Sequence, residues 1–426
     1  MKLAARGVSL GLVLACTVVT FSLGVAQKSP CMDGLDWGET GDPSTAFVQY
    51  RLLCYTDLVP LLGTEQLAGG RLPYLDGCVR DGGNCDEYPV LTMYLMRAAA
   101  WIAPPTVGTG LSPGDYTSFY LVNAALLGLC AAATAYALWR LAGRRALWFA
   151  LAPTLLIYGT VNWDLFAVML ATLALFAYAV KQDEWSGGLL GLGAAAKLYP
   201  AFLVLPMFLQ GLRDRQPDRS VRVLWWSAGA WLAVNAPFAI VATTAWWEFF
   251  RFNAARPADF DSLWYLACDH DLGCPSIRTI GIASAVLAVA IVALVWWRKT
   301  RRQPGFPPWA LGLPILIAFL LANKVYSPQY GLWLLPWFVL VGTSFRLFVA
   351  FEVAEVLVFL TRFRLFADMA GQEWGWPEAW FQWAVLLRAA ILVLVLIDWV
   401  RRDAPALAVV ASRGRHEHGH VVEPVG

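Results

Sequence analysis

Residues 277–297 read IRTIGIASAVLAVAIVALVWW and contain one charged side chain, Arg278. A bilayer core about 30 Å thick needs roughly 20 apolar residues of helix, so this run predicts a membrane-spanning helix. The four cations that follow directly, in RKTRR at 298–302, indicate the cytoplasmic end of that helix, because positive residues stay on the cytoplasmic side. One stretch therefore predicts both a membrane fold and its orientation.

Composition supports the same fold class. The 426 residues are 59% hydrophobic and 15% charged, whereas soluble domains average roughly 45–50% and about 25%. This excludes a soluble monomer. The formal net charge is only +2, so no cationic excess indicates a nucleic-acid partner. The 22 Trp residues are expected at the two interfaces with membrane lipids.

Other apolar runs predict further membrane segments of an all-α polytopic protein. Clear spans lie at 7–25, 117–138, 222–242 and 379–399, and shorter ones at 146–160, 164–180, 308–322, 330–345 and 347–363. Lys2 and Arg6 precede the first run, which we read as an uncleaved helix because a cleavage site is weak. Arginine clusters near 140–145, 213–222, 298–302 and 401–415 are expected on the cytoplasmic side.

If every arginine cluster lies on the cytoplasmic side, the chain must cross the membrane an even number of times between consecutive clusters. This condition decides how two doubtful segments are placed. Residues 89–103 are then an amphipathic helix on the outer interface, so that 26–116 form one external segment. Residues 186–210 are two half-helices that meet near Lys197 and Pro200. The prediction is about twelve membrane segments in a cell membrane, with both termini cytoplasmic.

Cysteine positions agree with this topology. Cys16 and Cys130 lie in spans, and the other six fall in segments placed outside, as an oxidising compartment favours. Cys78 with Cys85 and Cys268 with Cys274 are close enough in sequence to be disulfides, which leaves Cys31 with Cys54. Sequence does not fix this connectivity.

The external segment at 26–116 is rich in acids, most of them ordinary loop charges. Asp57 differs in context, because residues 54–76 predict an amphipathic helix whose apolar side carries Leu58, Leu61, Leu62 and Leu67 and which is broken by Gly69 and Gly70. A carboxylate near the start of an interfacial helix lies at the height of lipid headgroups, where an enzyme acting on a lipid phosphate needs its base. The alternative is an acid that only complements the helix dipole.

Polar side chains at membrane depth form three groups on the same outer side. Charged residues are costly there and often functional. The groups are Asn162 with Asp164, Lys197 alone, and Asn323, Lys324, Tyr326, Gln329 and Tyr330. Snorkelling or hydrogen bonds between helices would explain any one of them. Together they favour a polar cavity. No nucleotide-binding or zinc-protease motif is present, and the tail histidines His416, His418 and His420 are typical of a disordered terminus.

Several motifs together resemble glycosyltransferase family 87, in its actinobacterial branch. They are YTDLVPLLGTEQLAGGRLPY, EYPVLTMYL, NWDLFAVMLATLALFAY, GLLGLGAAAKLYPAFLVLPMFL and NKVYSPQYGLWLLPW, within residues 45–345. The resemblance implies a GT-C-class bundle. Its segments would be a first helix (1–25), an external loop with interfacial helices (26–116), a core (117–345), C-terminal helices (346–403) and a cytoplasmic tail (404–426).

The resemblance also implies a reaction at the outer face. The donor would be a polyprenyl-phosphate sugar, with mannose as the first candidate sugar and arabinose as the second. The acceptor would be a hydroxyl of a glycan or glycolipid. Asp57 would be the base, and Lys197 and Lys324 would bind the donor phosphate. The remaining substrate-binding candidates are Glu87, Asn162, Asp164, Tyr199, Tyr326, Gln329 and Tyr330. Neither a cofactor nor a divalent metal is implied.

Two alternatives remain open at this point. A transporter or flippase of a lipid-linked sugar would also use a polar cavity, although its usual repeated halves are not evident. A non-catalytic envelope scaffold on the same fold is the other, since fold does not fix function. Within the chemistry itself, Glu87 is the competing carboxylate, with its EYP motif better suited to positioning the interfacial helix.

Overall fold

A computed structural model of the chain describes residues 8–34, 47–80, 83–104, 110–269 and 273–409. Some residues considered above lie outside these ranges, namely Lys2, Arg6, the arginines of the C-terminal tail and its three histidines.

Helices make up most of the described chain. In the first part they are α1 (Leu10–Lys28), α2 (Val48–Arg51), α3 (Leu61–Thr64), α4 (Val90–Ile102), α5 (Pro113–Ala142), α6 (Ala146–Ala150), α7 (Pro153–Tyr158), α8 (Asp164–Ala179) and α9 (Asp183–Ala196). In the second part they are α10 (Val204–Arg213), α11 (Pro217–Val241), α12 (Thr243–Ala255), α13 (Leu263–Asp269), α14 (Ile277–Arg302), α15 (Gly312–Ala322), α16 (Gly331–Val341), α17 (Phe345–Met369) and α18 (Glu378–Arg401).

Short elements complete the structure. Six 3₁₀ turns lie among the described residues, at Ser29–Cys31, Leu67–Gly69, Gly143–Arg145, Tyr199–Leu203, Pro308–Leu311 and Pro328–Tyr330. Two antiparallel two-residue strands, β1 (Val79–Arg80) and β2 (Gly83–Asn84), pair within the long loop.

Five described helical segments are long and apolar enough to span a bilayer: Leu10–Cys31, Pro113–Ala150, Pro217–Val241, Ile277–Arg302 and Glu378–Arg401. The all-helical membrane class is therefore confirmed, and the total of twelve segments stays a prediction. The 13 residues of α4 reach about 20 Å, too short to cross the bilayer core. The predicted run at 146–160 is divided into α6 and α7, because Pro153 starts a new helix.

Small residues bring α9 and α11 into close contact. A Cβ atom on Gly187 would lie 2.5 Å from the Val223 carbonyl oxygen, and one on Gly191 would lie 2.2 Å from that of Ser227. Only glycine allows this approach, as is common between membrane helices. α9 ends at Ala196, and α10 begins at Val204. The tight packing thus fixes Lys197 at the end of a rigid helix.

The prediction of an amphipathic helix at 54–76 was wrong. Asp57 lies in a turn, followed by the single-turn helix α3 and the 3₁₀ turn at Leu67–Gly69. Gln66 adopts φ 53° and Gly70 adopts φ 80°, and both left-handed conformations interrupt a helix. The four leucines are nevertheless buried, at 0–7% exposure. The apolar pattern therefore predicted correctly which side chains are buried, although turns and not a helix bury them. The dipole explanation for Asp57 therefore has no helix to act through.

One continuous hydrophobic core runs from Val13 in α1 to Trp399 in α18. Three disulfides join cysteines of the segments predicted to lie outside. They are Cys31–Cys54 and Cys78–Cys85, each with a Cα–Cα distance of 5.7 Å, and Cys268–Cys274 at 4.7 Å. The first attaches the end of α1 to the segment that carries Asp57.

Candidate active site

The Asp57 segment is attached to the bundle at successive residues. The Thr56 hydroxyl donates to the Thr160 carbonyl oxygen at 2.7 Å, and the Asp57 amide donates to that of Val161 at 2.7 Å. Cys54 is held through its disulfide to Cys31. The long loop is therefore fixed against the turn between α7 and α8, which a segment without helical structure would not achieve by itself.

The Asp57 carboxylate is half-buried and hydrogen-bonded. The Tyr55 hydroxyl donates to Asp57 Oδ1 at 2.6 Å. Burial disfavours the charged carboxylate and raises the pKa of Asp57 to about 6, against the opposing effect of the Tyr55 hydrogen bond. The neighbouring charge of Glu87 raises this pKa further, and that of Lys197 lowers it. Asp57 is thus a carboxylate that is mostly ionised at neutral pH yet takes up a proton readily.

A cavity of about 720 Å³ opens beside this carboxylate. Its walls come from the long loop, the α8 and α9 ends, α12, the 323–330 loop and α17. Eight of the residues selected from sequence line it: Asp57, Glu87, Asn162, Lys197, Tyr199, Lys324, Gln329 and Tyr330. The tertiary fold therefore gathers residues that are up to 273 positions apart in sequence, from Asp57 to Tyr330, around one space.

Lys197 is held in a defined position at the cavity wall. Its Nζ lies 3.1 Å from Asp164 Oδ1, and the Trp333 indole nitrogen donates to the same oxygen at 3.1 Å. The ammonium also lies 5.3 Å from the Tyr88 ring centroid and 5.2 Å from that of Tyr330. The Lys197 side chain keeps 18% exposure, whereas that of Asp164 has none. The lysine thus faces the cavity from a buried anchor.

Two residues predicted to bind substrate do not line the cavity. Asp164 is used inside the bundle, where it pairs with Lys197 and accepts from Trp333. Tyr326 is 3% exposed, donates to Glu355 Oε1 at 3.4 Å, and lies 3.6 Å beneath the Arg388 guanidinium. Asp164 Oδ1 and the Tyr326 hydroxyl are thus engaged within the bundle, and a role of either residue in substrate binding stays a prediction.

Three of the remaining candidates carry structural contacts in addition to their place in the wall. The Asn162 Oδ1 atom accepts from the Asp164 amide at 3.0 Å, at the start of α8. The Tyr199 ring stacks on Trp333 at 4.4 Å. Lys324 donates through Nζ to the carbonyl oxygens of Ala254 at 2.8 Å and Arg256 at 2.7 Å. The Lys324 ammonium thus holds the end of α12.

Two arginines also line the cavity. Arg256 Nη2 lies 3.2 Å from Asp259, and Arg362 Nη2 lies 3.7 Å from the same carboxylate. Arg362 pairs in addition with Asp261. Both arginines are thus held by carboxylates of the 256–261 loop, which lie behind the cavity lining.

Comparison with known families agrees with the membrane fold. The model of glycosyltransferase family 87 matches residues 88–322, more than half of the chain. The chain belongs to glycosyltransferase family 87. No curated protein matches it. Asn162 and Lys197 lie within the matched range of this glycosyltransferase, whereas Asp57 precedes that range and Lys324 follows it.

A sugar transfer needs a base for the acceptor hydroxyl and a cation near the departing group. The cavity of this family 87 enzyme offers Asp57 and Glu87 as carboxylates, and Lys197, Lys324, Arg256 and Arg362 as cations. Among the described residues no group of three His, Cys, Asp or Glu side chains is arranged to hold a metal ion.

Sequence analysis missed Tyr55, Arg256 and Arg362. Tyr55 stands two residues before Asp57 in the YTDLVP stretch, so its place beside a candidate base was the one available signal. Arg256 follows an amphipathic helix, and Arg362 lies in a helix that had no recognisable motif. Nothing in their local sequence separates these arginines from ordinary interfacial cations.

Proposed function

We propose that this family 87 enzyme transfers a sugar from a polyprenyl-phosphate donor to a hydroxyl of a cell-envelope glycan or glycolipid. The observation that carries the proposal is that Asp57 and Lys197 face one cavity in a membrane glycosyltransferase. We place the reaction at the outer face of the membrane, with mannose as the first donor sugar to test and arabinose as the second.

The chemistry follows from the two groups. Asp57 takes the proton of the acceptor hydroxyl as its oxygen attacks the anomeric carbon. The bond from that carbon to the phosphate oxygen breaks, and the phosphate leaves with the electron pair. Attack from the side opposite to the leaving group inverts the anomeric configuration. Because the leaving phosphate is already anionic, it needs a cation more than it needs a proton, and Lys197 supplies that charge.

A lipid-linked donor is supported by a second, apolar groove of about 520 Å³. Pro89, Leu198, Phe249 and Phe250 belong to the walls of both this groove and the polar cavity. Leu198 directly follows Lys197, so an apolar chain in the groove would enter the cavity beside the lysine. A hydrophobic lipid tail gains free energy by leaving water for such a surface.

The test is a transfer assay with purified protein and a panel of radiolabelled polyprenyl-phosphate sugars. In Asp57→Asn, transfer is expected to fall by about 10²–10⁴-fold, the usual contribution of a general base, while donor binding stays near wild type. Asp76→Asn is the matched control, because this exposed loop acid undergoes the same change and does not line the cavity. Its rate is expected to equal that of wild type.

Two outcomes would contradict parts of the proposal. A normal rate in Asp57→Asn with a dead Glu87→Gln would assign the base to the other carboxylate and leave the reaction class unchanged. Vectorial movement of the lipid-linked sugar across vesicles, with no transfer to any acceptor, would instead indicate a flippase.

A further inference from the structure

We propose that Tyr55 is the positioning residue of the base, holding one oxygen of the Asp57 carboxylate so that the other faces the acceptor hydroxyl. The inference rests on the proposed function of Asp57 and adds a second residue to the same site. It is carried by geometry: the Tyr55 hydroxyl donates to Asp57 Oδ1 at 2.6 Å, and both side chains line the cavity.

The carboxylate is held asymmetrically. Within the described part of the chain, Tyr55 is the side chain that donates to Oδ1, and no side chain donates to Oδ2. Oδ1 is therefore fixed by a short hydrogen bond, and Oδ2 is open to the cavity. A base must lie within hydrogen-bond reach of the proton that it accepts, so fixing the rotation of the carboxylate fixes where Oδ2 lies.

Tyr55 is itself held by packing. Its ring lies 5.3 Å from the Phe363 ring of α17, and it follows Cys54, whose disulfide ties the segment to the end of α1. On the other side, Thr56 and Asp57 are bonded to the turn before α8. The phenol and the carboxylate thus project from one short segment that is fixed at both ends.

In the reaction, Tyr55 keeps its own proton. The acceptor proton moves to Asp57 Oδ2 as the new carbon–oxygen bond forms, and the phosphate leaves with the electrons of the broken bond. The Tyr55 hydrogen bond stabilises the ionised form of Asp57, which is the form that acts as base. Its removal therefore weakens the site twice, through orientation and through a smaller ionised fraction.

Other charges act on Asp57 as well. The groups that interact with it electrostatically, directly or through Tyr55, are Lys28 on α1, Tyr50 on α2, Glu87 and Tyr88 in the long loop, Asp164 on α8, Lys197 after α9, and Arg362 on α17. All of them remain in a Tyr55→Phe variant. A change in its pH profile therefore reports the loss of the phenol hydroxyl.

The expected effect follows from the loss of one hydrogen bond to a charged group. The acid limb of the kcat profile should move to higher pH by about one unit, the equivalent of about 1.4 kcal/mol. With the wild-type pKa of Asp57 at about 6, the ionised fraction at pH 7 falls from ~0.9 to ~0.5, a roughly twofold loss of rate from ionisation alone, to which the loss of orientation adds. At pH 5.5 the same shift gives a roughly eightfold loss.

Tyr120→Phe is the matched control. Its hydroxyl is also buried and donates to Thr160 Oγ1 at 3.0 Å, on the residue whose carbonyl accepts from Thr56, but it does not contact Asp57. We expect its pH profile to match that of wild type. KM for the donor is expected to change little in Tyr55→Phe, because the phenol is assigned to the base and not to the phosphate.

A second variant covers the case in which Tyr55→Phe does not fold. Replacement of Tyr55 by 3-fluorotyrosine keeps the ring packing and makes the phenol a stronger donor, so the acid limb should move to lower pH. Unchanged acid limbs in both variants, with Asp57→Asn inactive, would overturn the role of Tyr55 and leave the base assignment in place. An active Asp57→Asn would instead overturn the proposed function on which this role depends.

Discussion

Replacing Lys197 by Met removes the ammonium that we assign to the donor phosphate and also breaks a buried ion pair. The Asp164 side chain has no exposure, and within the described ranges the Trp333 indole would be its one remaining side-chain partner after the change. Removing one partner of a buried pair usually costs about 3–5 kcal/mol, because the remaining charge stays buried without compensation. We therefore expect a marked fall in the free energy of unfolding together with a fall in activity.

The double variant Lys197→Met/Asp164→Asn separates these two effects. An amide at position 164 still accepts from Trp333 and carries no charge, so most of the lost stability should return. Donor affinity should not return, because the contact to phosphate is still missing. A charge-assisted hydrogen bond contributes about 1.5–3 kcal/mol, which corresponds to a roughly 10- to 150-fold weaker donor affinity.

The assay pairs thermal unfolding in detergent with direct binding of polyprenyl phosphate, for wild type, both single variants and the double variant. Full recovery of donor affinity in the double variant would refute the role of Lys197, since that result would mean that its charge serves only to neutralise Asp164. Wild-type affinity in a folded Lys197→Met protein would refute it equally.

Four further predictions follow from the same contacts. Lys324→Met should lower stability by about 1–3 kcal/mol, since it leaves two carbonyl oxygens without a donor, and in the donor-binding assay it should weaken affinity less than Lys197→Met does. Transfer by wild type should fall about tenfold per pH unit below pH about 6, as Asp57 is protonated. Because burial raises the pKa of Asp57, protonated Asp57 favours the folded state at low pH, and this contribution to stability is lost as pH rises through about 6. Unfolding measured as a function of pH would reveal the loss. Replacing Cys31 and Cys54 together by Ala should cost about 3 kcal/mol of stability and reduce transfer by loosening the Asp57 segment, and mass spectrometry of the native protein should find the pair oxidised. A cysteine placed at Arg144 should resist labelling from outside intact cells, and ready labelling there would reverse the predicted topology.

The sequence by itself determined that this protein lies in a membrane and that its fold is helical. Runs such as 277–297 are apolar enough and long enough to be membrane-spanning helices. A backbone buried in lipid must satisfy its hydrogen bonds within a helix, and crossing the bilayer requires a helix of about this length. The chemically unusual positions were also visible, since Lys197 and Lys324 are costly wherever a membrane protein buries them. These signals are local, and each depends on a residue type and its immediate neighbours.

Local pattern was misleading where turns bury apolar side chains. The leucines after Asp57 have a helical spacing, but Pro60, Gln66 and Gly70 divide the segment into turns that bury the same residues. Periodicity reports which side chains are buried, and several backbone paths bury the same set. The chain path around Asp57 is instead decided by distant partners, the carbonyls of Thr160 and Val161.

Tertiary structure alone decided what each polar group does. Asp164 and Lys324 stand out in the sequence as charges at membrane depth in the same way as Lys197, yet the fold uses Asp164 to anchor Lys197 and uses the Lys324 ammonium to hold α12. It also brings Arg362 of α17 to the cavity that contains Asp57. The physical reason is that a charge buried in a membrane protein is stabilised by a partner within about 4 Å, and which partner lies at that distance depends on how helices far apart in sequence pack together.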